Sequence, residues 1–508
     1  MNKDTIKLLF ENKALKKKND LLNIKVKNLE RKIKIYEEKM DLLVAAAVDK
    51  AVSALKKEYE IIVKNQNKKI AKLESQLNIN SDNSSVPPSK NSIKTKITNS
   101  REKSNKKIGA QVGHKRNTLN YFNDDEITDT IEHSLDKCPN CNGSLIYKNT
   151  VLSDVIDFKT TVTKVRNKIH NYCCSCCNKN ISSNTLLKRG TVYGNNINTS
   201  ALILMNESNV AINKVRKYIY GLSNSEIDMS EGYISKLQAK TANKLDGFIS
   251  ELKNAIILEK IVHWDDTNIT VGTKQNYLRF YGNEKLALLI AHENKNREGI
   301  KNDGILSSLG PSSTLVHDHV LYNYNKEFKF NNAECNAHIL RYLKAVTENI
   351  HDHTWEKELG KLLNEANKNK NGKSCFDQTY IDEICRRYDE IIKLAYKEHN
   401  TLPDYHFYHS DEIKLIKRLD TFRDAHLLFV KDFDVPFSNN TAERSFRISK
   451  TKLKVSGLFQ NQKSSENYAK ILSYTETCYR NGVNKYQAIL RLLDGNPYTV
   501  SELTNSVL

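Results

Sequence analysis

The first 78 residues contain no glycine and no proline, and no cysteine precedes Cys138. Nothing in that stretch breaks a helix. No apolar run approaches the ~18 residues that a spanning helix needs, so no membrane span is expected. The opening "MNKDTIKLLFENKALKKKND" lacks an apolar core and a small-residue cleavage site, so no signal peptide is expected either. Apolar residues are only 39% of 508, few for one globule, and the length suits three or four domains.

What the chain does have is positive charge. Lys and Arg number 79 against 60 Asp and Glu, a net +19. Residues 1–120 alone hold 28 basic against 13 acidic residues, so the excess is concentrated there. Such a balance favours a polyanionic partner, nucleic acid above all. A membrane surface fits less well, because the basic arm has no amphipathic face rich in Trp or Phe. Ten cysteines without a secretory signal favour metal ligation over disulfides.

Leu8, Leu15, Leu22, Leu29 and Leu43 recur in sevens, with Tyr36 in the gap. Asn12, Asn19, Val26, Ile33 and Met40 lie four residues after successive members of that series. This is a leucine zipper with leucine at d, and asparagine at a favours a parallel pair. The phase slips near "AAAVDKAV" and resumes with Leu55, Tyr59, Ile62, Ile70, Leu73 and Leu77. Residues 1–78 are therefore expected to be a self-associating coiled coil. Residues 79–120 are rich in Ser, Asn and Lys, and read as a basic disordered linker. Lys115 and Arg116 within it are candidate phosphate contacts.

"CPNC" (138–141) and "HNYCCSCCNK" (170–179) supply two C-x-x-C knuckles, a zinc-ribbon signal over 121–190. The ligands taken are Cys138, Cys141, Cys174 and Cys177, with Cys173/Cys176 the alternative second register. Four thiolates leave no open position, so one structural Zn²⁺ is expected. The alternating "DVIDFKTTVTKVRNKIHNY" between the knuckles suits strands. Residues 191–258 have a helical, helix-turn-helix-like pattern with Ser230 as an N-cap, a candidate DNA-binding region.

"EKIVHWDDTNITV" predicts a strand carrying Asp265 and Asp266. "NYLRFYG" and "KLALLIAHE" continue it as a meander, and "SSTLVHDHVLYNY" adds a strand ending at His317 and Asp318. "FSNNTAERSFRISKTK" (437–452) holds Glu443 ahead of Arg444, Arg447 and Lys450. Locally, Asn440 capping a helix with Glu443 at its third position would make a capping box. Alternatively, Glu443 and the two strand aspartates form a hard oxygen cluster for Mg²⁺ or Mn²⁺. In "ECNAHILR", Cys335 and His338 have a spacing that could bind metal, but no further pair lies nearby, so His338 and Arg341 are taken as candidate phosphate-backbone contacts, with core packing the plain alternative.

The ordered pieces "HWDDTNITV", "TLVHDHVLYNY", "ECNAHILR" and "PFSNNTAERSFR" resemble those of insertion-sequence-66 family transposases, large subunit. The leucine-rich coil, the "NSSVPPSK…GAQVGHK" linker, the cysteine knuckles and the C-terminal "SGLFQNQKSSENYAKILSYTETCYRNGVNKYQAILRLL" are similar too. The resemblance implies a multidomain α+β chain: coiled coil, zinc ribbon, helical DNA-binding region, RNase H-like core over 259–455, and a helical tail over 456–508. A helical insertion is expected at about 345–425. It implies a catalytic triad of Asp265, Asp318 and Glu443 that binds two Mg²⁺ or Mn²⁺ ions. Asp266 departs from the family, where glutamate is usual. The implied activity is cleavage of element ends, with water attacking first, followed by attack of the freed 3′-hydroxyl on target DNA. The implied partners are DNA and a second copy of the chain, the location is the prokaryotic cytosol or nucleoid, and small helper proteins remain open. The alternative is a catalytically idle DNA-binding accessory protein derived from a transposase.

Overall fold

The structure, a computed structural model, describes residues 3–78, 83, 113, 120–184 and 190–505. In chain order its elements begin with α1 (Lys3–Asn78), β1 (Asn171–Cys173) and β2 (Asn180–Ser182). Four helices follow: α2 (Asn195–Asn206), α3 (Ile212–Leu222), α4 (Glu231–Asn243) and α5 (Asp246–Ile257). Then come β3 (Ile261–Val271), β4 (Lys274–Gly282), β5 (Ala287–His292), α6 (Arg297–Asp303), β6 (Thr314–His317) and β7 (Asn331–Glu334). The remainder is helical: α7 (Asn336–Asn349), α8 (Trp355–Lys370), α9 (Gln378–His399), α10 (His409–Thr421) and α11 (Arg423–Lys431). Last are α12 (Asn440–Ser445), α13 (Arg447–Ser456), α14 (Gln462–Arg480), α15 (Lys485–Leu493) and α16 (Val500–Asn505).

The chain divides into two units. One comprises residues 1–95, 340–365 and 382–421, the other residues 96–339, 366–381 and 422–508.

In the first unit α1 is a single helix of 76 residues, unbroken through the expected phase slip. Leu8, Leu15, Leu22, Leu29 and Leu43 are each at least half exposed along it. The linker expected over 79–120 lies outside the described residues except at positions 83, 113 and 120. The later part of this unit is helical and has a buried polar hub. Glu412 accepts from His353 Nδ1 at 2.7 Å, His399 Nδ1 at 2.8 Å and Trp355 Nε1 at 3.0 Å. A buried carboxylate is tolerable only with such a full set of donors.

The second unit is built on a five-stranded sheet in the order β5-β4-β3-β6-β7. β3, β4 and β5 form the expected antiparallel meander, while β6 runs parallel to β3 and β7 parallel to β6. Gly282 ends β4 where a Cβ would lie 2.1 Å from the Leu286 carbonyl oxygen, so no side chain fits. Strand alternation then sorts the two faces. Val262, Trp264, Tyr281, Leu286 and Leu288 point into one core, and Ile269, Leu278, Phe280, Ala287 and Leu289 into the other. The first core also takes in the apolar faces of α2 to α5 and of α15 and α16. The helical region before the sheet therefore shares its core rather than forming one of its own. Ser230 caps α4, accepting from Tyr233 N–H, as expected.

The second core is closed by α12 and α14, through Ala442, Phe446, Tyr468, Ala469 and Leu472. Helix α14 also masks the open edge of β5. Ser473 Oγ accepts from Leu289 N–H at 2.8 Å and Thr477 Oγ1 from Ala287 N–H at 3.2 Å. Edge groups paired in this way are closed to another strand.

Between the cysteine knuckles the structure departs from expectation. The alternating stretch 154–170 forms no strand, and β1 begins only at Asn171. Val155, Phe158 and Val165 are about three-quarters exposed or more. Alternation alone does not make a strand without a partner to pair and a core to face.

Candidate active site

Asp265 lies mid-strand on β3, and Asp318 directly follows β6. The parallel register pairs Ile261 with Thr314, Val262 with Leu315 and His263 with Val316. Carried two positions on, that register sets Asp265 beside Asp318. Asp265 shares a strand face with Ile269, the face that α12 covers. Asp266 points the other way, where its Oδ1 meets Lys295 Nζ at 2.6 Å. That far side is fixed by fully buried Arg279, which donates to Asp303 Oδ2 at 2.8 Å and to Gly299 O at 2.9 Å. The two neighbouring aspartates thus have different surroundings, and Asp265 is the one facing Asp318.

Burial pushes the Asp265 carboxyl well above the usual range, and the charges of Asp318 and Asp266 add to this. The N–H of Asp266, donated to Asp265 Oδ1 at 2.8 Å, opposes it. Carboxylates crowded in this way resist full ionisation, and a divalent cation is the natural counter-charge.

His338, 7% exposed, stands in the first turn of α7. Its Nδ1 lies 2.8 Å from Asp318 Oδ1, and its Nε2 lies 3.7 Å from Glu443 Oε1. Burial works against charge on this imidazole, but Asp318 and Cys335 outweigh it and push its pKa up to about 11. Its nitrogens thus turn toward two carboxylates. His338 thus stands between Asp318 and Glu443, with Asp265 in electrostatic contact with Asp318, while among the described residues the three carboxylates do not close to within metal-ligand range of one another.

Glu443 arrives by a route the local sequence did not reveal. The N-cap of α12 is Asn439, not Asn440, and its side chain makes no capping bond. Glu443 is therefore the fourth helical residue, and the capping box is not formed. Asn439, fully buried, instead crosses to β3. Its Oδ1 accepts from His263 Nδ1 at 2.9 Å and its Nδ2 donates to the Trp264 carbonyl at 2.8 Å. Its backbone N–H donates to Cys335 Sγ at 3.2 Å. These bonds fix the start of α12 against β3 and against Cys335, the residue that precedes α7.

A second hub holds the loop after Asp318. Glu334 Oε1 accepts from His319 Nδ1 and Tyr324 Oη, each at 2.6 Å, and its Oε2 accepts from His426 Nε2 at 3.0 Å. Sequence reasoning missed both Asn439 and Glu334, since the cap was assigned to Asn440 and nothing local marks Glu334 as a hub.

Arg444 lies on α12, 3.4 Å from Glu284, and Arg447 and Lys450 lie on α13. Burial lowers the Lys450 ammonium pKa and the charge of Asp265 opposes this, so Lys450 lies within electrostatic reach of the cluster. Arg341 is one turn beyond His338 on α7. Lys115 and Arg116 lie outside the described residues.

The cysteine pairs form the same turn twice. Cys138 N–H donates to Gly143 O at 3.0 Å and Asn142 N–H to Cys138 O at 2.8 Å. Likewise Cys174 N–H donates to Lys179 O at 3.0 Å and Asn178 N–H to Cys174 O at 2.9 Å. Asn142 and Asn178 both take positive φ, 63° and 55°. Cys138 thus corresponds to Cys174, and Cys141 to Cys177. Backbone N–H groups of Asn140 and Cys141 lower the Cys138 thiol pKa, and those of Cys177 and Cys176 lower that of Cys174. Among the described residues the two pairs do not meet at one point.

Residues 191–467 match the family model described as Transposase IS66 family, and residues 44–120 match a Family of unknown function (DUF6444). No curated protein matches the chain. Among solved structures, a pre-cleavage Mos1 transpososome is 11% identical, covering 46% of this chain and 80% of that one, with a TM-score of 0.14. The catalytic domain of Mos1 mariner transposase is 14% identical, covering 36% and 90%, with a TM-score of 0.11. Likeness at those scores carries no argument. The family match spans more than half of the chain, and the chain belongs to the IS66 family of transposases.

Proposed function

We propose that this chain cleaves DNA at insertion-sequence ends and joins those ends to target DNA, with Asp265, Asp318 and Glu443 holding two Mg²⁺ or Mn²⁺ ions. The observation that carries this reading is His338 set between Asp318 and Glu443, with Asp265 electrostatically coupled to Asp318. The donors are hard oxygens, as these cations require. A meander followed by two parallel strands supports the RNase H-like reading of the sheet. When bound, such ions activate the attacking oxygen and stabilise the leaving one in an in-line displacement at phosphorus.

The chain's own residues set the geometry. Asn439 ties α12 to β3, which sets Glu443 beside His338. His338, positively charged, steadies Asp318 and Glu443. Arg444, Arg447 and Lys450 neutralise DNA phosphates and align the scissile bond. Water is the nucleophile in the first step and the freed 3′-hydroxyl in the second, so no covalent enzyme intermediate forms. Cys138, Cys141, Cys174 and Cys177 hold one Zn²⁺, a reading supported by the matched knuckle turns. The exposed leucine stripe of α1 pairs with a second copy, bringing two catalytic units to two element ends.

The test is incubation of purified full-length protein with Mg²⁺ and labelled element ends. Nicking and joining that depend on Asp318 are expected. End binding without any nicking would leave the idle accessory protein as the better reading.

A further inference from the structure

Cys335 has no part in the chemistry just proposed, yet it borders it. It follows β7 directly and is 1% exposed. One turn on, His338 reaches Asp318. One donor atom from each of Asp318, Cys335 and His338 lies within 4.8 Å of the others. Neighbouring ligand atoms around a tetrahedral zinc are about 3.3–3.8 Å apart, so side-chain adjustment of an ångström or so closes the set.

Two further features suit a metal thiolate. The Asn439 N–H aimed at Cys335 Sγ repeats the amide-to-sulfur arrangement of the two knuckles in this same chain. The Asp318 side chain is 32% exposed, which gives an entry path and a fourth position for water. On binding, the ion displaces the His338 and Cys335 protons to solvent, leaving one thiolate, one neutral imidazole and one carboxylate, a softer set than three carboxylates. Mg²⁺ does not favour sulfur, whereas Zn²⁺ and Co²⁺ do.

We propose that Asp318, Cys335 and His338 form a second metal site, selective for a Zn²⁺-class ion, and that filling it withdraws Asp318 from the hard-metal set and stops catalysis. The binding half stands on the donors alone, while the inhibitory half rests on the proposed strand-transfer function.

The experiment uses full-length protein loaded with one equivalent of Zn²⁺ and titrated with Co²⁺, in wild type, Cys335→Ser and His338→Gln. Thermal melts establish that each variant is folded. Wild type should bind one Co²⁺ with a near-ultraviolet thiolate-to-cobalt band. Losing a direct ligand should cost more than the 10–100-fold of an outer-shell change, so Cys335→Ser should weaken binding by about 100-fold or more and remove the band. His338→Gln should weaken binding while keeping some of the band. Superimposable wild-type and Cys335→Ser spectra and stoichiometries would overturn the site. In a second arm, strand transfer at fixed Mg²⁺ is measured with and without micromolar Zn²⁺, as a ratio within each protein. Inhibition of wild type but not of Cys335→Ser supports the regulatory half, and equal inhibition of both overturns it. Failure of every protein to nick DNA, with the cobalt result intact, would overturn the strand-transfer function and the inhibition with it, but not the site.

Discussion

Replacing Asn439 separates a crosslink from a helix cap. Its side chain is fully buried, accepts from His263 Nδ1 and donates to the Trp264 carbonyl. Asn439→Ala leaves both groups buried without a partner. Each such group costs about 1–3 kcal/mol, so a loss of roughly 2–6 kcal/mol is expected. At ~2–4 °C per kcal/mol for a domain of this size, the melting midpoint should fall by roughly 4–24 °C. The choice of substituent is the sharper part. Ser and Asp are good N-caps, so either would restore stability if capping were the role of Asn439. As a crosslink, Asp fails because its carboxylate faces the Trp264 carbonyl, and Ser is too short to span both partners. Differential scanning fluorimetry on all three variants is the assay. Asn439→Ser or Asn439→Asp within about 0.5 kcal/mol of wild type, the range of an ordinary surface change, would refute the reasoning.

Purified protein should carry one Zn²⁺, lost in Cys174→Ser and Cys177→Ser but kept in Cys173→Ser; metal analysis showing the reverse would move the register to Cys173 and Cys176. Deleting residues 1–78 should convert a dimer to a monomer in sedimentation at micromolar concentration, and a monomeric full-length chain would count against the zipper. Asp265→Asn should abolish cleavage with DNA binding retained, whereas Asp266→Asn, which loses the Lys295 ion pair and a charge beside Asp265, should retain at least about a tenth of the activity; equal losses would mean that both aspartates serve the site.

Strands β3 to β6 were legible because their apolar and β-branched runs face cores, whereas β7, with the sequence "NNAE", was not. The Asp265–Asp266 pair and Asp318 could be singled out as acids within or at the end of apolar strands, but the choice of Asp265 over Asp266 came from the family resemblance. The meeting of Asp265 with Asp318 was not legible, since it depends on the β3–β6 register. The start of α12 was misread because Asn439 and Asn440 are both plausible caps, and only tertiary bonding to β3 selects between them. The stretch 154–170 shows the opposite failure: alternation is present, but its apolar residues have no sheet or helix to cover them. Helices α2 to α5 read as a separate region because periodicity reports an apolar face, not what that face is buried against. The Glu334 and Glu412 hubs join residues distant in sequence, so no local pattern marks them.

The most direct measurement is strand transfer by Glu443→Gln on labelled element ends in Mg²⁺, at protein concentrations giving DNA occupancy equal to wild type. Glutamine keeps the shape but removes the anionic oxygen. If Glu443 completes the metal-holding set with Asp265 and Asp318, nicking and joining should fall by at least about a thousandfold while the melting midpoint stays close to wild type. Activity within about tenfold of wild type, a barrier change of only ~1.4 kcal/mol, would contradict the triad.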